Sequence, residues 1–196
     1  MFALAAGCAP KQKPLTDYVN PLLGTATLWD SVDLGFKPTK RTWGAEVFPG
    51  SSLPNAMVQV SPVTKFHSGA GYQYEDSVIY GFTHTNKGHW NLCHIPLLPV
   101  TGTPTPGDYC SPFSHERESA APGYYQVFLD RYGVDAQLSS TLRCAFHKYT
   151  YPAGAAVAVL ADLQRSNEHV RAWDIRKEGN NCLLYTSDAA DEEDSV

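Results

Sequence analysis

Length and composition place this chain among ordinary globular proteins. It has 196 residues, 43% hydrophobic and 18% charged, enough for one domain of usual size or two small ones. An aromatic content of 12% is too high for a disordered chain. No run of roughly eighteen apolar residues occurs, which excludes a membrane-spanning helix. The 15 Gly and 14 Pro favour a turn-rich β protein over a helical bundle.

The net charge of −5 is local in origin. Residues 182–196 contain five of the 20 acidic side chains and no basic one, so the rest of the chain carries 15 acidic and 15 basic residues. A neutral body of this kind offers no electrostatic surface to nucleic acid or to an anionic membrane. The charge pattern therefore predicts no nucleic-acid partner.

The first residues, MFALAAGCAPKQKP, resemble the end of a bacterial lipoprotein signal. Small residues precede Cys8, and a polar linker follows it. This pattern predicts that residues 1–17 are a truncated signal and linker, because the charged n-region and most of the apolar h-region are missing. Lipidation of Cys8 would make the protein an exported, periplasmic or cell-surface lipoprotein that meets the membrane only through its lipid anchor. The alternative is a disordered N-terminus with a chance cysteine.

Short apolar or alternating segments follow one another along the chain, separated by turns that contain Gly or Pro. No window of about eleven residues has helical periodicity. The pattern predicts an all-β fold, an antiparallel β-sandwich with long loops at residues 25–46 and 83–94. The predicted strands are residues 56–60, 72–74, 78–82, 95–100, 124–129, 134–142, 145–151 and 157–163.

Two of these segments carry a more specific prediction. Pro96 and Pro99 cannot donate ladder hydrogen bonds, so their segment should be an edge or irregular strand. The longest apolar run of the chain, residues 155–161, suits a buried strand.

Alternation within residues 145–151 divides that strand into two faces. Phe146, Lys148 and Thr150 share one face, and His147 belongs to the other. His147 is therefore predicted to be a hydrogen-bonded interior or interface histidine.

The C-terminal residues 182–192 read CLLYTSDAADE, which resembles the translation of a transposase-type sequencing adapter. All eleven residues match one reading frame of such an adapter. Residues 182–196 are therefore predicted to be an artefactual tail. The native domain would be residues 18–181, incomplete at its C-terminal end. A genuine acidic tail is the alternative.

Six segments occur in a distinctive order: VNPLLGT (19–25), FPGSSLPNAMVQVSPVT (48–64), IYGFTHTN (79–86), LLPVTG (97–102), SPFSHERESAAPGYYQVFL (111–129) and YGVDAQLSSTLRCAFHKYTYP (132–152). Together they resemble the N-terminal domain of glycoside hydrolase family 92, the exo-acting α-mannosidases abundant in gut Bacteroidota. The FSHE sequence followed by a PGYY turn and a strand is specific. The resemblance spans roughly residues 18–163, nearly all of the predicted native part.

The resemblance implies a β-sandwich packed on a larger helical domain, in an enzyme that hydrolyses α-mannosides with inversion and depends on calcium. The acid, the base and most Ca²⁺ ligands would belong to the helical domain, which would follow Asn181 outside this chain. The implied partners are α-mannoside glycans and that helical domain. A free-standing carbohydrate-binding sandwich remains the alternative.

One departure from the family pattern concerns residues 25–46. The stretch LWDSVDLGFKPTKRTWGAE is longer than the short loop usual in the family. It leaves the mannosidic linkage specificity open, because loops near the pocket shape the leaving-group site.

Three pairs of carboxylates in this chain are candidates for a catalytic acid and base. Inverting glycosidases hold the two groups about 6.5–9.5 Å apart. Two carboxylates on alternate residues of a strand would share a face at about 6–7 Å. The favoured interpretation is that this chain supplies no catalytic residue and that Glu116 has a structural role, in turn hydrogen bonding beside His115. The pairs considered are Glu116 with Glu118, Glu75 with Asp76, and Asp30 with Asp33.

The loop at residues 83–94 combines His84, His89, Cys93 and His94, which are possible zinc ligands. Their spacing matches no standard zinc pattern, so no metal site is predicted. The favoured interpretation is that this loop lines a sugar pocket.

Trp90 is the principal candidate for sugar contact, because an indole face can stack on the C–H side of a pyranose. Asn86, His89 and Asn91 flank it and can hydrogen-bond to hydroxyls. A core position is the alternative for Trp90.

A second candidate group lies in the sequence RTWGAE. Arg41 and Trp43 offer the same combination of a polar group and an aromatic face, and are predicted as further substrate contacts. Gly50 is assigned to a tight turn, with a possible close approach of its backbone to a ligand.

Overall fold

The computed structural model describes residues 12–28, 43–44, 47–87, 90–167 and 170–188. Within these ranges the regular structure is β-strand apart from two short 3₁₀ helices, Leu15–Tyr18 and His115–Arg117. No helix there is long and apolar enough to cross a membrane. The strands are β1 (Thr27–Leu28), β2 (Trp43–Gly44), β3 (Ser51–Ser52), β4 (Gln59–Val63), β5 (Val78–Ile79), β6 (Gly81–Thr83), β7 (Asn86–Lys87), β8 (Trp90–Asn91), β9 (Leu97–Thr101), β10 (Ser111–Pro112), β11 (Glu118–Ala121), β12 (Tyr124–Leu129), β13 (Val134–Ser140), β14 (Ala145–Thr150), β15 (Val157–Ala161), β16 (Val170–Glu178) and β17 (Asn181–Asp188).

Two antiparallel sheets form the sandwich, as the sequence predicted. One is a four-stranded meander in the order β11–β12–β13–β14, and the other has the order β15–β9–β6–β4–β3. Four strand pairs lie outside the two sheets: β1–β2, β5–β10, β7–β8 and β16–β17. Strand β17 runs into residues predicted to be a tail, and it pairs with β16 from Asn181 to Asp188.

The core lies between the two sheets, because both contribute to one buried cluster. The meander supplies alternate residues, so that the buried face of β12 and β13 is apolar and the opposite face is half-exposed. The facing sheet supplies mainly aliphatic residues and Phe82. The fully buried members of this cluster include Val60, Ile79, Phe82, Leu98, Val100, Tyr125, Val127, Leu129, Val134 and Ala136.

The predicted strands of the meander are confirmed, and those of the other sheet need correction. Residues 124–129 coincide with β12, and β14 has the predicted faces, with Phe146, Lys148 and Thr150 exposed. Residues 56–60 begin too early, because Ala56 N donates to Leu53 O in a turn and the strand starts only at Gln59.

Residues 72–74 form no strand, contrary to prediction. Their backbone bonds to polar partners instead of a ladder: Gln73 N donates to Thr64 Oγ1, and Tyr74 N donates to Thr25 O. Alternating aromatic residues are thus compatible with an irregular segment whose hydrogen bonds are satisfied elsewhere.

The proline-containing strand was predicted to be an edge or irregular strand, and it is not at an edge, because β9 lies between β15 and β6. Pairing with β6 is confined to Phe82 and Leu97, so the ladder does not extend to Pro99 on that side. Strand β15 occupies the edge of the sheet. The prediction that this apolar strand is buried was therefore wrong. Val157 is 57% and Val159 51% exposed.

Candidate functional site

Residues 64–77, which connect β4 to β5, form a compact loop that we call the central loop. Thr64 closes it from both ends: its amide donates to Gly71 O at 2.8 Å, and its hydroxyl donates to Asp76 Oδ2 at 2.7 Å. Gln73 N donates to the same hydroxyl at 2.9 Å. A loop without a ladder therefore keeps its polar backbone groups paired.

The hairpin β1–β2 is attached to one end of the central loop. The Glu75 carboxylate accepts from Thr27 N at 2.8 Å and from Thr27 Oγ1 at 3.1 Å, while Tyr74 N donates to Thr25 O. Partial burial opposes ionisation of Glu75, but the hydrogen bonds from Thr27 outweigh it and lower its pKa. Trp43 lies in this hairpin, with its backbone opposite Leu28.

The hairpin β7–β8 is attached to the middle of the central loop through Asn91. The amide N–H of Asn91 donates to Gly69 O at 2.7 Å, and its side chain donates to Ala70 O at 3.3 Å. The side-chain oxygen accepts from Thr83 Oγ1 and from Cys93 N. Trp90 lies in this hairpin, with its backbone opposite Lys87.

Asn91 is therefore a buried clamp, which corrects its expected role as a sugar ligand. The side chain is completely buried, and both of its polar atoms are used within the chain. Within this chain the Asn91 side chain has no exposed surface through which to reach a ligand. The sequence pattern could not reveal this, because Asn91 has polar neighbours on both sides.

Gly50 also has a packing role. A Cβ atom there would lie 2.0 Å from Val60 O and 2.7 Å from Ser61 Cα, so the residue allows close contact between the chain and β4. The close approach that the structure shows is to this chain's own backbone, and an approach of Gly50 to a ligand stays a prediction.

The other predicted sugar contacts are placed only in part. Asn86 and Trp90 have described backbones, and Asn86 pairs with Asn91. The side chains of Asn86, Trp43 and Trp90 lie outside the described residues, as do Arg41 and His89 entirely. Cys8, Asp30 and Asp33 lie outside them as well.

The carboxylates of Glu116 and Glu118 do not share a face. Glu116 is exposed in the 3₁₀ helix His115–Arg117, where its amide is capped by Ser114. Glu118 begins β11, and its side chain is completely buried. Glu116 and Glu118 therefore do not form the arrangement considered for an acid and a base, two carboxylates on one face of a strand.

Glu118 is the centre of a hydrogen-bond network that the sequence did not reveal. Its carboxylate accepts from Tyr72 OH at 2.9 and 3.0 Å and from Tyr125 OH at 2.6 Å, and His115 Nδ1 lies 2.5 Å from Oε2. Burial and the neighbouring carboxylate raise the pKa of both tyrosines, which keeps them as donors.

Of the four possible zinc ligands, His84, Cys93 and His94 are described and His89 is not. His84 Nε2 lies 2.7 Å from Nε2 of His147, whose Nδ1 lies 2.7 Å from Tyr149 OH. Burial raises the pKa of Cys93 to about 12. Among the described residues no group of three or more His, Cys, Asp or Glu is arranged to hold a metal ion.

The position of His147 matches its prediction as a hydrogen-bonded interior histidine. Phe82 and Tyr149 pack beside its ring, and burial together with His84 lowers its pKa to about 4. The neutral imidazole thus bridges the two sheets.

The fold is an antiparallel β-sandwich in which the hairpins β1–β2 and β7–β8 are both hydrogen-bonded to the central loop. The family comparison is specific: residues 18–183 match the glycosyl hydrolase family 92 N-terminal domain. The chain belongs to glycosyl hydrolase family 92, and the mannosidase resemblance read from its motifs is confirmed.

Solved structures of family members are similar to this chain. The α-mannosidase BT3965 from Bacteroides thetaiotaomicron, in complex with mannoimidazole, is 29% identical, with a TM-score of 0.68 over 82% of this chain. The family member ccman5 is 26% identical, with a TM-score of 0.66 over 87%. The inverting mannosidase BT2199 from Bacteroides thetaiotaomicron is 27% identical, with a TM-score of 0.60 over 77%.

This chain spans only 21%, 24% and 20% of those three proteins, respectively. None of the curated proteins compared with the chain matches it.

Proposed function

We propose that this chain is the N-terminal part of an inverting, calcium-dependent α-mannosidase, where it packs on a catalytic domain and forms part of the mannose pocket. The observation that carries the proposal is the attachment of both tryptophan-bearing hairpins to the central loop. One rigid connection would hold two aromatic residues in a constant relation to a bound sugar.

The sugar contacts proposed within this chain are Trp90, His89 and Asn86 of one hairpin region and Trp43 and Arg41 of the other. Indole faces would stack on the apolar side of the pyranose, and the polar groups would bond to its hydroxyls. Asn91 would hold the first group in place, because its bonds to Gly69 and Ala70 attach the hairpin β7–β8 to the central loop.

Calcium and the catalytic carboxylates are assigned to the remainder of the parent protein. The described residues provide no cluster of metal ligands, and Glu75 and Asp76 are engaged with Thr27 and Thr64. We assign the chemical steps to the remainder of the parent protein and give this chain the role of binding and orienting the sugar. The proposed location is the periplasm or cell surface, with an anchor at Cys8.

The direct test uses the complete parent protein and the 196-residue chain side by side on an aryl α-mannoside. We expect turnover by the complete protein only, its loss on Ca²⁺ chelation and recovery on Ca²⁺ addition, and β-mannose as the first product by NMR. Turnover by the isolated chain would overturn the assignment of catalysis to the missing part.

The contribution of the pocket is tested by Trp90→Ala in the complete protein. We expect kcat/KM to fall about tenfold or more, the equivalent of about 1.4 kcal/mol. Trp173→Ala is the matched control, because Trp173 is an exposed tryptophan in β16. Unchanged kinetics in a folded Trp90 variant would remove this residue from the pocket. Binding of mannosides without turnover by the complete protein would favour a carbohydrate-binding module.

A further inference from the structure

The buried carboxylate of Glu118 is hydrogen-bonded to the central loop. It is held in β11, where its backbone pairs with Val127 of the meander. It contacts the loop by accepting from Tyr72 OH. A carboxylate with no exposed surface is retained in a protein only when its oxygens are hydrogen-bonded, and Tyr72, Tyr125 and His115 meet that requirement.

His115 provides a second connection to the same loop. Its Nε2 lies 2.7 Å from Tyr74 O, and its ring stacks on Tyr74 with a centroid distance of 4.0 Å and an interplanar angle of 5°. A carbonyl oxygen can only accept, so Nε2 donates. At Nδ1, 2.5 Å from the Glu118 carboxylate, the contact requires a further proton between ring and carboxylate.

The central loop connects the Glu118 network to both tryptophan-bearing hairpins, and Tyr74 and Glu75 make the connection to β1–β2. Tyr74 N bonds to Thr25, and Glu75 follows with its two bonds to Thr27 at the start of β1–β2. On the other side of Tyr72, Gly71 lies against Asn91 of β7–β8, where an added Cβ would be 2.7 Å from Asn91 Nδ2.

We propose that Glu118, acting with His115, is a positioning residue that fixes the central loop and thereby sets the relation between the two tryptophan-bearing hairpins. The proposal rests on the proposed function for its consequence in sugar binding. Its structural part concerns the isolated chain and is measured without any sugar.

The experiment is amide hydrogen exchange on the 196-residue chain carrying Glu118→Gln. The amide side chain keeps the shape but removes the charge: its oxygen can still accept from Tyr72 and Tyr125, and its NH₂ group can donate only to a neutral His115, so every bond of the network becomes a neutral one. We expect exchange to accelerate about tenfold or more at the amides of Thr27, Thr64, Tyr74 and Asn91, because a charge-assisted network is lost beneath them. Exchange in β12 and β13 should stay unchanged.

Glu116→Gln is the matched control, because it is the same substitution two residues away at an exposed position. It should leave every reporter amide unchanged. Tyr72→Phe removes only the hydroxyl that reaches Glu118 from the loop, and serves as the second variant if Glu118→Gln fails to fold. It should accelerate the same amides. Uniform acceleration throughout the sandwich, or none at the reporters, would overturn the proposal.

The consequence for the sugar site is measured on an aryl α-mannoside with the complete parent protein. We expect Glu118→Gln to raise KM several-fold with a smaller change in kcat, and Glu116→Gln to change neither. An active parent whose KM is insensitive to Glu118→Gln would overturn the positioning role while leaving the proposed function intact. An inactive parent would overturn the proposed function itself, and with it the consequence drawn here for sugar binding.

Discussion

The meander β11–β14 and the loop side formed by residues 64–94 are stabilised in different ways. In the meander, β12 and β13 are long strands with strict alternation, and their buried face is apolar apart from the hydroxyl of Tyr125. The loop side has strands of two or three residues between β4 and β9, and it is organised by buried polar side chains such as Thr64 and Asn91. Apolar burial is non-directional and tolerates adjustment, whereas a buried hydrogen-bonded amide requires each partner in place. A loop side built in this way suits a site that must keep a constant geometry.

The largest effect should come from the meander. Leu129 is completely buried, so Leu129→Ala should lower the free energy of unfolding by about 2–5 kcal/mol through lost burial and a cavity. Urea denaturation of the isolated chain measures it. Val159→Ala is the control on an exposed edge strand and should cost far less. Equal losses would mean that the edge strand is covered, for example by self-association.

On the loop side, Asn91→Ala should cost about 1–3 kcal/mol, because Thr83, Cys93 and Ala70 lose their partner in a buried setting. Unlike Leu129→Ala, this substitution should also detach the β7–β8 hairpin from the central loop while the rest of the sandwich stays folded. Proteolysis under native conditions would detect this as new cleavage within residues 84–92. A variant that loses stability without local cleavage would show that both regions unfold as one unit.

Substitutions of Gly71 and Gly102 by Ala distinguish the energetic cost of backbone strain from the cost of a close contact with Asn91. Gly71 and Gly102 both have φ between +70° and +80°, but a Cβ meets Asn91 at Gly71 and open space at Gly102. Gly102→Ala should cost about 1–2 kcal/mol from strain alone. Gly71→Ala should cost more, and Asn91→Ala should partly relieve it in a double-mutant cycle. Additive losses would contradict the contact.

The smallest effect concerns the histidine pair that joins the two regions. The pKa of His147 is lowered to about 4, with Tyr149 and the similarly lowered His84 as its titratable neighbours. The unfolded state therefore binds more protons between about pH 6.5 and pH 4, so stability should fall as pH falls through that window. Allowing for partial solvent exposure, the loss should be about 1–2 kcal/mol. His147→Phe should flatten the profile there, and His67→Asn, at an exposed site, should not.

Local alternation was enough to locate three of the four meander strands, β12, β13 and β14, whereas β11 was not predicted. The faces predicted within residues 145–151 were also correct, because a side-chain period of two is a property of the strand itself. The order of the FSHE, PGYY and other motifs was likewise enough to identify the family.

Only the tertiary structure decided which polar residues are buried and what they hold. Glu116 and Glu118 look equivalent in the sequence, yet one is exposed while the other meets Tyr72, 46 residues away. Asn91 has the same polar neighbourhood as its expected sugar-binding companions but clamps Gly69 and Ala70. The apolar strand β15 is exposed because it lies at a sheet edge, a position set by strand order. Burial of a polar group depends on partners brought together by folding, and no local pattern along the chain records them.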